Sequence, residues 1–243
     1  EEHIRRNMQL LTRNAIRVTV NDLSLNTVNT TTTSAVLTFI SKSMKVVKQF
    51  VTSRFKVSPE SGNNIAATQC EDFITPFNDR SSGIALSDLH IYVSYVTDNT
   101  LQYTATGKYC KTSLGSTNSP NPDPTLARGR PRMGRIKFNT AYALDGTTLT
   151  NRLFADTTAS ALSEMFHIMG FDSDLYASYL DSTTNNTYTN PVMQTATGLA
   201  TGRVVNKMIT TPNVVAWAKA WFNCASITGM LLENEGADSN NYW

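Results

Sequence analysis

The apolar residues of this chain change their spacing early, and that change limits the folds open to it. Ala15 to Val20 alternates apolar and polar positions and ends at Asn21-Asp22, the pattern of a strand closed by a turn. From Ser34 the spacing lengthens. Val36, Leu37, Ile40, Met44, Val47, Val51 and Phe55 recur every three or four residues, which predicts a long helix with one buried face. Lys42, Lys45, Lys48 and Arg54 fall on its other face and read as a solvated charged surface. A strand running into a long one-sided helix needs a sheet for that helix to cover.

Further strands are expected at Leu89 to Val96 and Leu101 to Thr106, joined through the turn-prone Asp98-Asn99. Gly115 to Arg132 holds Pro120, Pro122, Pro124 and Pro131 among Ser and Asn, so it reads as a surface loop that cannot join a sheet. Gly134 to Asn139 resumes alternation as a short strand. Thr157 to Met169 is expected to be helical, with Leu162, Met165, Phe166 and Met169 on one face. Gly170 then stands where a left-handed glycine would end that helix. A last helix opens at Thr211-Pro212, hydroxyl as cap and proline at the first position, and runs to about Phe222. No internal repeat or heptad pattern is present. Strands gather before the central helix, and a loop-rich segment with one clear helix follows it. That asymmetry predicts an α+β lobe followed by a second lobe of different character.

With 243 residues and 40% hydrophobic content the chain can bury a substantial core. Its net charge is only +2 and its basic residues form no long run, which argues against nucleic-acid binding by bulk electrostatics. No apolar run approaches the roughly 18 to 20 residues needed to cross a bilayer, and Glu1-Glu2-His3-Ile4-Arg5-Arg6 lacks the apolar core of a signal peptide. Membrane association is therefore expected only through segments outside this chain. Cys70, Cys110 and Cys224 are an odd number, implying a free thiol or a partner not present in the chain, and none forms a CxxC pair. Asn29-Thr30-Thr31 and Asn185-Asn186-Thr187 are acceptor sequons in polar stretches, making Asn29 and Asn185 glycosylation candidates. Low charge, abundant Thr, Ser and Asn, and the sequons together favour an extracellular or cell-surface location.

The residues that carry chemistry lie in Ser163-Glu164-Met165-Phe166-His167-Ile168-Met169-Gly170-Phe171. This has the form H-E-x-x-H-x-x-G-F with serine for the first histidine. In that motif two histidines at i and i+4 bind zinc from one helix face, and the glutamate handles the proton of the metal-bound water. Glu-x-x-His alone carries little, because chance supplies it often. A solvated glutamate and a hydrogen-bonded core histidine would account for it.

Other segments match in order. The chain resembles the leishmanolysin-like zinc peptidases of the metzincin class in Ala15-Ile16-Arg17-Val18-Thr19-Val20 and the long helix after it. It resembles them again at Ser87-Asp88-Leu89-His90-Ile91-Tyr92-Val93, at Arg130 to Asn139, at Thr210-Thr211-Pro212-Asn213-Val214, at Trp221-Phe222-Asn223-Cys224 and at Gly229 to Gly236. The resemblance implies a metzincin-like zincin fold: a mixed twisted sheet with two long helices in an N-terminal lobe over 15–170, including the motif helix. A loop-rich helical C-terminal lobe would begin at 171–243 and be incomplete, with 1–14 as an upstream segment. A third zinc ligand would follow in a Ser-His-Trp-Glu-like context. Here the chain reads Ser239-Asn240-Asn241-Tyr242-Trp243, placing Tyr242 where histidine is expected. The chain also stops before the family's methionine turn and a later cysteine that would pair with Cys224. This leaves Cys70 and Cys110 for each other.

On this resemblance Glu164 is the general-base position, His167 the retained ligand, and Ser163 and Tyr242 the degenerate ligand positions. His90 lies in a segment without a catalytic role, and His3 lies outside the resemblance. An unactivated hydroxyl is a poor ligand at neutral pH, and a phenol with a pKa of about 10 needs the metal's help to ionise. One imidazole does not hold zinc at trace concentration, so the family's zinc is expected to be absent or weak here. Without it nothing lowers the pKa of the attacking water from about 15.7 toward 7. A peptide groove could outlast the metal site, because adding a strand to a sheet edge needs no ion. The expected edge is Gly134, Arg135, Ile136 and Lys137. The leading reading is thus a catalytically impaired homologue that binds a polypeptide; the alternative is an active zinc metalloendopeptidase. Neither a G-x-S-x-G elbow nor a phosphate-cradling G-x-x-x-x-G-K-[ST] loop is present.

Overall fold

The computed structural model describes residues 14–22, 34–57, 59, 63–64, 66–112, 115–116, 130–143, 150–179, 181, 187–195 and 206–232. They form two compact units divided between Met169 and Gly170.

The first unit opens with β1 (Asn14–Ala15) and β2 (Val18–Asn21), followed by α1 (Ser34–Arg54) and β3 (Lys56–Val57), which pairs back onto β1. The sequence spacing placed α1 well. Leu37, Ile40, Met44, Val47 and Val51 are buried while Lys42, Lys45, Lys48 and Arg54 are exposed. Two short strands, β4 (Gln69–Cys70) and β5 (Phe73–Ile74), form a hairpin before α2 (Phe77–Ser81). Then come β6 (Leu89–Val96), β7 (Ala105–Thr112), β8 (Gly115–Ser116), β9 (Pro131–Asn139), α3 (Thr140–Ala143) and α4 (Asn151–Met169).

The main sheet has the order β2-β6-β9-β7-β8, parallel from β2 through β6 to β9 and antiparallel thereafter. Three sequence expectations change. The strand after β6 is Ala105–Thr112, not Leu101 to Thr106, and it does not pair with β6, because β9 lies between them. The reason is visible at Asn139, whose Nδ2 donates to the carbonyls of Asp98 (2.8 Å) and Leu101 (2.9 Å), folding this connection over the end of β9. The expected loop Gly115 to Arg132 joins the sheet at both ends: Gly115–Ser116 form β8, and Pro131 and Arg132 open β9, with Pro131 opposite Thr112. Proline is tolerated at the first position of a strand. And α4 begins at Asn151, where Thr150 Oγ1 accepts the Leu153 amide at 3.1 Å, a side-chain cap that the apolar pattern does not reveal.

Helices α1 and α4 pack on each other and on the sheet, with Phe39 edge-on to Phe154 at 5.3 Å and Phe55 to Phe166 at 5.9 Å. Two polar links fix the sheet. The buried Asp88 accepts from Arg17 Nε at 2.9 Å and Nη2 at 2.8 Å. The fully buried Arg135 donates to Ser94 Oγ at 2.9 Å and meets Glu71 and Asp72 of the β4–β5 turn. The Cys70–Cys110 disulfide joins that hairpin to β7 with Cα atoms 5.2 Å apart, as the resemblance implied. Closing its 40-residue loop contributes about 4 kcal/mol in the chain-entropy account.

The second unit was read as loop and helix, but it also holds an antiparallel sheet of β10 (Val192–Thr195), β11 (Asn206–Ile209) and β12 (Met230–Leu231) around α5 (Pro212–Trp221). Tyr176, Ile209 and Leu232 form its core. Short strands of mixed polarity such as Asn206-Lys207-Met208-Ile209 leave little periodic trace. Thr211 and Pro212 do open α5, although the Thr211 hydroxyl makes no cap bond.

His90 is buried in β6, its Nδ1 2.7 Å from Thr19 Oγ1 and its ring edge-on to Tyr92. Burial pushes its pKa down to about 4, against a smaller opposing pull from Asp79. The folded value lies below the unfolded one, so the stability this site provides is complete above pH 6.5 and is lost as pH falls toward 4. The loss over that interval is expected to be about 3 kcal/mol. His90→Asn, which keeps a partner for Thr19 and cannot titrate, should flatten the slope of urea-unfolding free energy between pH 4 and 6.5; an unchanged slope would refute this. In the same unit, a Cβ on Gly134 would lie 2.4 Å from Ile168 Cγ2. Gly134→Ala is therefore expected to cost about 1 to 3 kcal/mol by overpacking, measured as a lower urea midpoint.

Candidate functional site

Helix α4 presents Ser163, Glu164 and His167 on consecutive turns. Ser163 and His167, four residues apart, share one side of the helix. Of the expected stripe Leu162, Met165, Phe166 and Met169, only Met165 is buried; the buried residues are Thr157, Ala161, Glu164, Met165, His167 and Ile168, while Leu162, Phe166 and Met169 are half-buried. The shift follows from what lies beneath the helix: α4 rests on β7 and β9 at two glycines, Gly107 and Gly134.

Gly107 sets the geometry of the carboxylate. Its missing side chain leaves room for the helix: a Cβ there would come within 2.8 Å of Glu164 Cβ and 2.9 Å of the Glu164 carbonyl oxygen. The Asn139 amide donates to Thr104 O, so in the alternating ladder of β7 and β9 the Gly107 amide faces away from β9. That outward N–H donates to Glu164 Oε2 at 2.7 Å. Glu164, 9% exposed, thus joins the motif helix to the outer side of β7. The sequence reading missed Gly107, although an isolated glycine within a strand is a recognised sign of close backbone approach.

The expected peptide edge needs correction. Gly134, Arg135, Ile136 and Lys137 lie in β9, an interior strand paired with β6 on one side and β7 on the other, and the Arg135 side chain is fully buried. Backbone groups consumed by two neighbours cannot receive a third strand. Among the described residues β7 borders β9 on this side of the sheet, β8 pairs with its Lys111 and Thr112, and its outward Gly107 amide is taken by Glu164. Tyr242, Asn29 and Asn185 lie outside the described residues.

The donor set can be judged against the zinc that the motif calls for. His167, 6% exposed, is the one imidazole on the motif helix, and Ser163 offers a hydroxyl. His90 is engaged with Thr19 within the sheet. Among the described residues no three His, Cys, Asp or Glu side chains gather closely enough to hold a metal ion. The described residues by themselves do not make up a catalytic zinc site, which takes three nitrogen or carboxylate ligands and keeps an open position.

An α+β unit with an internal disulfide and a helix carrying Glu-x-x-His-x-x-Gly-Phe belongs with the metallopeptidase-related proteins. The profile of the leishmanolysin family matches residues 26–242, nearly the whole chain, and the chain belongs to that family of zinc metallopeptidases. A comparison with curated proteins gives no match.

The buried Glu164–Gly107 bond has a measurable consequence. Glu164→Ala is expected to lower stability by about 1.5 to 3 kcal/mol, the range for hydrogen bonds to a charged partner, whereas Glu164→Gln keeps an acceptor and should lose less. Equal urea midpoints for the two variants would show that the bond contributes nothing.

Proposed function

We propose that this chain is a catalytically impaired leishmanolysin homologue that holds a polypeptide rather than cutting it, in a secreted or cell-surface setting. The observation that carries the reading is the pairing of Ser163 with His167 on one side of α4, a hydroxyl where the metal site of this family calls for an imidazole. Tyr242 at the position of the third ligand adds to it. The Glu164 carboxylate serves as an acceptor for the Gly107 amide, a structural task that needs no metal. In this reading zinc is absent or weakly held, and the fold is of the metzincin type.

The polypeptide would be held through main-chain hydrogen bonds, which supply affinity without any ion. The Cys70–Cys110 disulfide suits an oxidising compartment, and Asn29 and Asn185 would carry glycans there. Metal analysis of protein purified without chelators should find zinc far below one per chain, and casein should survive incubation with it. Ser163→His combined with Tyr242→His should raise zinc content toward stoichiometric. Stoichiometric zinc in the unaltered protein, together with chelator-sensitive cleavage, would instead establish the active endopeptidase.

A further inference from the structure

The outer face of α1 carries cations and no carboxylate of its own. Between Ser34 and Pro59 the sequence contains Lys42, Lys45, Lys48, Arg54 and Lys56 and no Asp or Glu, although the whole chain, with 21 Lys and Arg against 19 Asp and Glu, is almost balanced. The remainder of the chain is therefore slightly net negative, while this element carries positive charge alone. All five cations are exposed, and none makes an ion pair among the described residues. Asp22, a carboxylate that reaches this helix, is bonded by Ser41 Oγ at 2.7 Å.

The helix holds these charges in a fixed array. Lys42, Lys45 and Lys48 follow one another at three-residue steps, about 4.5 Å apart along the axis, while Arg54 lies on the opposite flank of the helix and Lys56 begins β3. The positions among them are hydrophilic: Thr38, Gln49 and Ser53 are exposed. The exposed apolar residues, Val46 and Phe50, lie on the i, i+4 ridge from Lys42 to Arg54, on the flank away from Lys45 and Lys48, and the Arg54 guanidinium sits over the Phe50 ring at 6.0 Å. A helix that docks on a bilayer presents a ridge of large apolar side chains to insert, and this face has none at its centre. A single-stranded nucleic acid would call for exposed aromatic platforms, and the one ring here is covered by Arg54.

We propose that this face binds a linear, hydrated polyanion of the sulfated polysaccharide class. Evenly spaced sulfates and carboxylates would neutralise the row of ammonium groups, while sugar hydroxyls meet Thr38, Gln49 and Ser53. The attraction is of the counterion-release type and does not involve α4, so it stands or falls independently of the peptidase reading.

The test is titration of the full chain with heparin as probe, repeated at increasing salt, beside duplex DNA, polyglutamate and vesicles containing phosphatidylserine. Heparin should bind most tightly, and its affinity should fall about 100-fold between 50 and 200 mM salt if five contacts form. Combining Lys42→Gln, Lys45→Gln and Lys48→Gln should reduce the salt slope by about 2 to 3, whereas the corresponding Lys→Arg variant should bind as the unaltered protein does. If the triple variant does not fold, each single Lys→Gln change should lower the slope by about one. Arg152→Gln with Lys219→Gln, two exposed cations off this face, should change nothing. Failure of heparin to bind, equal loss in that control, or tighter binding of vesicles, DNA or polyglutamate at matched salt would overturn the proposal.

Discussion

The rest of the first unit depends on how closely α4 can approach the sheet. Side chains at Gly107 or Gly134 would drive into Glu164 and Ile168 at distances that real Cβ atoms do not tolerate, so both residues must be bare. Once the helix is that close, Ile168 fills the space over Gly134 and Glu164 comes within 2.7 Å of a strand amide. A carboxyl group in such a place gives up water for a backbone N–H, which offsets part of its desolvation. One packing constraint therefore determines both the position of the motif helix and the direction of its carboxylate.

A second set of links holds the β4–β5 hairpin to the sheet. The disulfide acts on the unfolded state by closing a long loop, whereas Arg135 acts in the folded state by bringing Glu71 and Asp72 over β9. A buried guanidinium without partners would be strongly unfavourable, so the hairpin and the strand require each other. Residues distant in sequence are thereby fixed around Tyr92, whose hydroxyl donates to Asp79 at 2.8 Å.

Family membership and hydrolysis rest on different parts of such a chain. The leishmanolysin match covers residues 26–242, and it rests on the whole pattern of strands, helices and turns. Hydrolysis rests on a few donor atoms. A scaffold stabilised by core burial at Ile40, Met165, Ile168 and Phe138 is indifferent to whether position 163 carries an imidazole or a hydroxyl.

Long periodic elements were legible in the sequence. Helix α1 and strand β6 lie where the apolar spacing put them, because each buries a continuous stripe that composition alone can register. The Ser163, Glu164 and His167 triplet was legible too, since four residues of helix bring i and i+4 to one side wherever that helix goes. The order of strands was not, nor was the interior position of Gly134 to Lys137, because pairing depends on contacts remote in sequence, such as Asn139 with the 98–101 loop. The partner of Glu164 was invisible for the same reason: Gly107 is 57 residues away. Residue chemistry and local periodicity are properties of the chain itself, and the sequence determined those. Which strand is enclosed, and which amide a carboxylate meets, follow from close packing of distant segments, and only the tertiary structure decided them.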